Sequence, residues 1–500
     1  MFREVDLGVS ARWVLFFFLF LLIQGSTLGL SDDEAYYWVL AQKPALGYAF
    51  HPPAVAWFIA LIQKSLSWLL GSHSIFLVRL PAALGLSSVL AMSLSWIEEL
   101  GITRKEALPK FPGVLISFAG LFGLAWMMVP DVPLFLGWTI AFVSTWRLCF
   151  GSEKRRDLLL LGVSSALLVL SKYSGILAVL SSLFCIWIWA PREVRYKAIG
   201  WVVSGLLLGL IPILVWNAQH EWASILYQIR DRHGGESWSV YRWMKFWLIE
   251  MVLAGPVVVV FFFVLCRSAF SSPTTHVTRV NRFLLAWVAP AAAVFCVQPL
   301  FSAFKPHWAL IVWWPVVLGL AVAHGQARSK WIHFQMAYGS AVILLVVFSS
   351  HWPWLGQILP KISGTSYQMT WDVTNDFYGW SQLREQMSSS LEPQDLALPV
   401  VGSRYQTASQ AAFSLSGFSQ VTLIPRDLKE RDEWPDLKIT QHQGPSWPKL
   451  KRAVLFVTDN RYSEGPQFEG ANCALLRHFD QYRWGVQAKW IELWRCVPRG

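Results

Sequence analysis

The feature that most constrains this chain is a series of apolar runs of bilayer-spanning length, packed one after another into its first 350 residues. They fall near 13–30, 75–97, 111–128, 134–150, 158–171, 174–190, 198–216, 244–265, 283–301, 308–323 and 332–350. A spanning helix needs about 20 mostly apolar residues, and inside lipid an α-helix satisfies every backbone polar group within its own segment. The pattern predicts a polytopic helical bundle with eleven spans. Composition agrees, because 15% of the residues are charged where a soluble domain carries about 25%. The net charge of +11 could suggest a nucleic-acid partner. The basic residues form no patch, however, and no nucleic-acid-binding motif is present, so that class is set aside.

The first run, Trp13 to Leu30, is longer than the apolar core of a secretory signal and is followed by acidic residues, so it reads as a retained span. One further apolar stretch, 54–70, is decided by charge. With that stretch lying along the interface, the loops on one side hold 16 Lys and Arg and those on the other hold 7. The richer side is then cytoplasmic by the positive-inside rule. Pro52 to Leu70, interrupted by Gln63 and Lys64, is accordingly expected to be a juxtamembrane amphipathic helix.

Past residue 350 the apolar runs shorten to strand length at 396–401, 421–424, 453–457 and 490–497, with helix-like stretches at 376–388, 405–416 and 471–480. Residues 351–500 are expected to form a soluble α/β domain outside the cytoplasm, after a membrane domain of residues 1–350. Cys473 and Cys496 are its two cysteines, in a compartment that permits disulfides. A bridge and a pair of buried thiols both remain open. Cys149, Cys185, Cys266 and Cys296 lie in or beside apolar runs and read as packing residues.

Ionisable residues gather at the outer ends of the spans. The first outer loop opens Ser31-Asp32-Asp33-Glu34-Ala35-Tyr36-Tyr37-Trp38. If Ser31 caps a helix, Asp33 and Tyr37 share one face and Glu34 and Trp38 the next. Asp131 sits in the short turn Val129-Pro130-Asp131-Val132-Pro133, and Arg79 lies about one turn into a span. Lys172, Lys305, His307, His51 and His220 all reach the same side. Any one of them could be a turn residue or a snorkelling cation. Together they suit a site that binds an anionic lipid headgroup while a hydroxyl or amine loses a proton. Soluble-enzyme signatures are absent: there is no phosphate loop, no dinucleotide fingerprint, no zinc-protease motif and no nucleophile elbow. A group donor is therefore expected to be carried on a lipid rather than a nucleotide. A divalent metal at Asp33 or Asp131 is conceivable, although no ligand spacing compels it.

These residues resemble a known family. Asp33-Glu34-Ala35-Tyr36-Tyr37, His51-Pro52-Pro53, Arg79-Leu80-Pro81, Pro130-Asp131-Val132-Pro133, Ser171-Lys172-Tyr173, Trp216-Asn217 with His220, and Lys305 with His307-Trp308 are similar to the bacterial dolichyl-phosphate-mannose protein mannosyltransferase superfamily. These are GT-C glycosyltransferases, and the aminoarabinose transferases that modify lipid A are relatives. Tyr378-Gly379-Trp380 and Tyr405-Gln406-Thr407-Ala408 resemble the same group's outer domain. The resemblance implies inverting transfer of a sugar from a polyprenyl-phosphate donor, at the outer face of the membrane, to a lipid such as lipid A, a polysaccharide or a protein. It implies Asp33 and Glu34 as the acidic pair and Asp131 as the second acidic position, and leaves Asp32 outside the match. Arg79, Lys172, Lys305 and His307 are expected to bind the donor phosphate, and Tyr36, Tyr37, His51, Tyr173, Asn217 and His220 to line the substrate site. A polytopic transporter or flippase of a lipid-linked substrate, or a membrane scaffold, would share the span pattern. The charged residues lie at the interface rather than the midplane, which disfavours transport.

Overall fold

The computed structural model describes residues 7–71, 73–101, 111–123, 125–151, 154–231, 237–270, 275–326, 330–416, 420–423, 447, 449–463 and 465–499. Parts of the loops used for the charge count, including most of 99–110, lie outside these, as does Ile424 of the expected strand 421–424.

Helix α1 (Leu7–Ser26) and helix α4 (Ile75–Glu99) run antiparallel and are tied at both ends. At one end Ser10 Oγ donates to Glu98 Oε1 at 2.7 Å, and at the other Arg79 Nη1 donates to the Gly25 carbonyl at 2.6 Å. The nineteen residue steps from Arg79 to Glu98 rise about 28 Å, the thickness of a bilayer's hydrocarbon core. These two ends define the slab.

Between them, α2 (Asp32–Gln42) and α3 (Ala54–Leu70) stay at the Arg79 end. The chain enters α3 beside Tyr37, whose hydroxyl lies 3.2 Å from His51 Nε2, and leaves it where His73 packs on Trp38. Trp57 Nε1 donates to the Ala45 carbonyl and Gln42 to Gln63 along the way. Both ends of α3 therefore return to α2, and it does not cross, in agreement with the charge argument.

The run 111–128 is not one span: it divides into α5 (Phe111–Ile116) and α6 (Ala119–Phe122). Helix α7 (Asp131–Phe150) returns to the Glu98 end, where Arg147 Nε donates to Glu99 at 2.9 Å. Helix α8 (Arg155–Ser171) runs from Asp157, paired with Arg147, to Lys172, paired with Asp131. Helix α9 (Ile176–Trp189), α10 (Arg192–Gln219) and the single turn α11 (Ala223–Leu226) follow. Next come α12 (Val240–Ala254) and α13 (Pro256–Ala269), then α14 (His276–Phe295), α15 (Leu310–Gln326) and α16 (Lys330–His351).

Among the described residues seven helices are long and apolar enough to cross a membrane, up to eight if the bent pair α12 and α13 counts as one broken span. Two of the eleven runs expected as continuous spans are interrupted, 111–128 and 244–265. The expected run 244–265 is bent by 106°, because Gly255 adopts φ +96° and the Gln335 amide fills the place of a side chain there, while Pro256 lacks an N–H. Helices α8 and α9, with 17 and 14 residues, are short for spans. Helix α8 packs so closely on α10 that a Cβ on Gly205 would lie 1.9 Å from the Gly162 carbonyl oxygen.

After α17 (Trp354–Ser363) come α18 (Leu383–Ser390) and α19 (Pro393–Leu396), then a five-stranded sheet with α20 (Tyr405–Ser414) packed on it. Its strands β1 (Val400–Gly402), β2 (Val421–Leu423), β3 (Val454–Asp459), β4 (Ala471–Arg483) and β5 (Val486–Pro498) lie in the order β2-β1-β3-β5-β4, with β1 parallel to both its neighbours. The stretch 471–480 is strand β4, not a helix. A register shift between Leu475 and Arg477 breaks the period-2 alternation, leaving a spacing of apolar residues that imitates a helix. Cys473 stands opposite Cys496 in this hairpin and the two form a disulfide. The sheet's core joins Trp380, Leu383, Met387, Val400, Leu455 and Leu493.

The Gly205 contact makes a measurable claim. G205V should lower the thermal midpoint in detergent by an amount equivalent to about 1–3 kcal/mol or more. G200V, on the same helix with open space around it, should leave the midpoint unchanged or raise it by the equivalent of a few tenths of a kcal/mol, because valine is the better helix former.

Candidate active site

The first acidic loop becomes a helix because Ser31 caps it, with its Oγ accepting from Glu34 N and its own N–H donating to Glu34 Oε2. Successive residues on a helix turn by about 100°, so the three adjacent carboxylates of α2 point in three directions.

Glu34 points inward and is fully buried. Arg79 Nε donates to its Oε1 at 2.8 Å and Nη2 to its Oε2 at 2.6 Å. The remaining Arg79 donors reach the carbonyls of Gly25, Leu28 and Gly29. All five guanidinium hydrogens are thereby used. Glu34 Oε1 also accepts the Met128 N–H, tying in the turn before α7. The structure thus corrects two expectations: Arg79 has no donor left for a phosphate, and Glu34 is committed to Arg79 and does not line the cavity.

Asp32 points toward the C-terminal unit. Its Oδ1 accepts from Gln410 Nε2 at 3.1 Å and its Oδ2 from Arg461 Nη1 at 3.2 Å. Arg461 also donates to Asp376 at 2.7 Å. The carboxylate left outside the family match is an anchor between the two parts of the chain.

Asp33 points into a cavity of about 370 Å³ at the Arg79 end of the bundle. The cavity also receives Tyr36, Tyr37, His51, Asp131, Lys172, Lys305 and His307, eight of the thirteen residues singled out from sequence. Asp33 is open to the cavity and enclosed by protein elsewhere. That burial pushes its carboxyl above the usual range; Lys305 opposes the rise most, Asp32 and Glu34 add to it, and the Tyr405 hydroxyl at 3.5 Å lowers it. Lys172 Nζ lies 2.9 and 3.1 Å from the two Asp131 oxygens, and His307 and His51 are near enough to act on the same charge. The cavity therefore pairs one carboxylate poised to take a proton with a cluster of cations.

A second, apolar cavity of about 520 Å³ adjoins the first and shares His51, Lys172 and Trp308 with it. Tyr173 lines this second space, its hydroxyl 2.6 Å from Ser224 Oγ. Asn217 and His220 line neither. Asn217 is buried, donating to the Ile213 carbonyl and accepting from Ile225 N, so it stitches the end of α10 to α11. His220 stacks on Trp216 at 4.1 Å and bonds its carbonyl. Both side chains bond within the turn that follows α10. Among the described residues no group of three or more His, Cys, Asp or Glu is placed to hold a metal ion, and both Asp131 oxygens face Lys172, so the donor set does not fit a divalent cation at Asp33 and Asp131.

Sequence reasoning missed Phe50, Tyr227 and Tyr405, which complete the wall beside Asp33. The Tyr405 segment carried a family resemblance, but nothing in the sequence showed that it folds back over the first outer loop.

No family model matches the chain. It is 23% identical over 308 residues to the lipid A galacturonosyltransferase RgtD of Rhizobium johnstonii, covering 60% of this chain and 61% of that protein, so the match spans about three fifths of the relative. ArnT from Cupriavidus metallidurans bound to undecaprenyl phosphate superposes with a TM-score of 0.63 over 98% of both chains at 12% identity. Its apo form gives 0.58 over 97% of this chain and 98% of that one, again at 12% identity. The chain shares the fold of that ArnT over the aligned 98% of its length. The fold class expected from the motifs, a GT-C-type helical membrane bundle with a C-terminal α/β unit, is the one it adopts.

The Arg79–Glu34 pair predicts a sharp contrast between two cations. R79M strands a buried carboxylate and three carbonyls and should cost about 3–5 kcal/mol, read as loss of folded, detergent-stable protein. K305M removes an exposed side chain and should leave the thermal midpoint within the equivalent of about 0.5 kcal/mol of the parent.

Proposed function

We propose that this chain is an inverting glycosyltransferase that moves a sugar from a polyprenyl-phosphate carrier to a lipid acceptor at the outer face of the cytoplasmic membrane. The observation that carries this reading is one cavity holding the Asp33 carboxylate opposite Lys305, His307 and the Lys172–Asp131 pair. RgtD is named for transfer to lipid A, and the ArnT structure holds undecaprenyl phosphate. The second supports a lipid-linked donor, and the first makes lipid A the acceptor to test first.

The acceptor hydroxyl or amine attacks C1 of the sugar from the face opposite the carrier phosphate. As the new bond to C1 forms, the acceptor's proton passes to Asp33, and the C1–O bond to phosphate breaks with the electron pair leaving on the phosphate. Inversion follows from that in-line geometry. The charge growing on the phosphate is met by Lys305, His307 and Lys172, already in place before the reaction. Asp131 holds Lys172 and orients it. The adjoining apolar cavity takes the carrier's isoprenoid chain, with the shared residues His51, Lys172 and Trp308 at the junction of chain and phosphate.

The placement of the site outside the cytoplasm is supported by the positive-inside bias and by the Cys473–Cys496 disulfide in the unit that covers the cavity. Single-cysteine labelling of intact cells should reach a probe at Gln386 and fail to reach one at Glu193; the opposite pattern would reverse the orientation.

Purified protein in nanodiscs, given radiolabelled undecaprenyl-phosphate sugars and lipid A, should pass label to the acceptor. D33N should slow that transfer about 10²–10⁴-fold while undecaprenyl phosphate still binds. The base acts deprotonated, so activity should fall as pH drops through the raised Asp33 pKa. K305M removes the cation that most lowers that pKa, so its acid limb should lie at higher pH than the parent's. An unmoved limb would remove Asp33 as the base.

A further inference from the structure

We propose that Tyr405, from the C-terminal unit, is a positioning residue for Asp33 and one wall of the sugar subsite, so that the α/β unit is part of the active site. This rests on the transferase reading above. Tyr405 is the first residue of α20, three residues beyond the end of β1 at Gly402. Strand β3 is parallel to β1 and ends at Asp459, just before Arg461. The same edge of the sheet therefore delivers both Tyr405 and the arginine that grips Asp32. Residues at the carboxyl ends of parallel strands are where open α/β sheets present ligand contacts.

The placement of the ring is firm. Gln410, one and a half turns along α20, donates to both the Leu30 carbonyl and Asp32, and Phe413 packs edge-on against Trp38 at 5.0 Å. Helix α20 is thus held along α2, and its first residue is brought over the cavity. The Tyr405 ring lies 4.8 Å from Tyr36 and 6.3 Å from Phe50, and Phe50 lies 4.9 Å from Tyr227. These four rings make a continuous aromatic surface beside Asp33, of the kind against which the C–H face of a pyranose packs. The hydroxyl faces Asp33 Oδ1. Burial and the nearby carboxylates push that hydroxyl's ionisation far up, so it stays a donor, steadies the ionised carboxylate and does not compete as a base.

The test is transfer from the radiolabelled undecaprenyl-phosphate sugar that the parent protein uses, with lipid A as acceptor, measured across pH for Y405F and Y405A. Y405F keeps the ring and loses the donor. Its acid limb should move up by about half a pH unit or more, with KM near the parent's. Y405A also loses the wall, and its KM should rise about tenfold along with the same shift of the limb. If both variants transfer sugar with the parent's KM and pH profile, the proposal fails while the transferase reading stands. A loss of kcat in Y405A without any shift in the Y405F limb would leave Tyr405 a purely structural residue and also overturns it. If the parent itself transfers no sugar, the transferase reading fails and this proposal falls with it.

Discussion

The molecule depends on one arginine with no hydrogen left to give. Helix α1 ends at the bilayer edge, where its last carbonyls have neither a next turn of helix nor reliable water to accept from. Arg79 accepts that burden for Gly25, Leu28 and Gly29, and its positive charge is balanced by Glu34. A buried ion pair adds little net stability over an apolar replacement, but removing one partner is costly. The pair acts as a clamp of defined geometry. It holds the end of α1, the start of α2, the first turns of α4 and the approach to α7 in one arrangement.

Everything chemical follows from where that clamp places α2. Three consecutive acidic residues would repel one another on a flat surface. On a helix they diverge, and each finds its own partner: Arg79 inside, the cavity ahead, and Arg461 with Gln410 above. One short helix therefore connects the helical bundle, the carboxylate in the cavity and the C-terminal unit. Helix α3 supports it from the side, which is why an apolar stretch of 17 residues lies along the interface instead of crossing it.

Much of this was legible in the sequence, and the failures have physical causes. Continuous apolar length identified the long helices well. It misjudged 244–265, where a glycine of positive φ breaks the helix, and 111–128, which divides into α5 and α6. The charge bias placed α3 correctly because loop charges sum over the whole chain, whereas the hydropathy of one segment does not distinguish crossing from lying flat. Asp33, Lys172, Lys305 and His307 were singled out by their shared position at span ends, and they line one cavity. Arg79 and Glu34 were found for the same reason but given the wrong work, since a sequence shows that charges are near the same plane and not that they face each other. Asn217 was drawn in by the family motif and His220 by its place at a span end, although their polar atoms serve the turn after α10. Tyr405 could not be placed at all, because its contact with the first outer loop spans more than 370 residues of chain.

The junction between the polar cavity and the apolar one has an energetic consequence for any ligand with a head and a long tail. Drawing an isoprenoid chain out of the membrane into water costs about 0.8 kcal/mol for every methylene equivalent exposed, a penalty no headgroup site could offset for a long carrier. Because His51, Lys172 and Trp308 belong to both spaces, the tail of such a ligand need never leave an oily environment while its head reaches the charged groups. Encounter then becomes a search in two dimensions, confined to one leaflet, and selectivity rests on what the head carries rather than on the affinity of the tail.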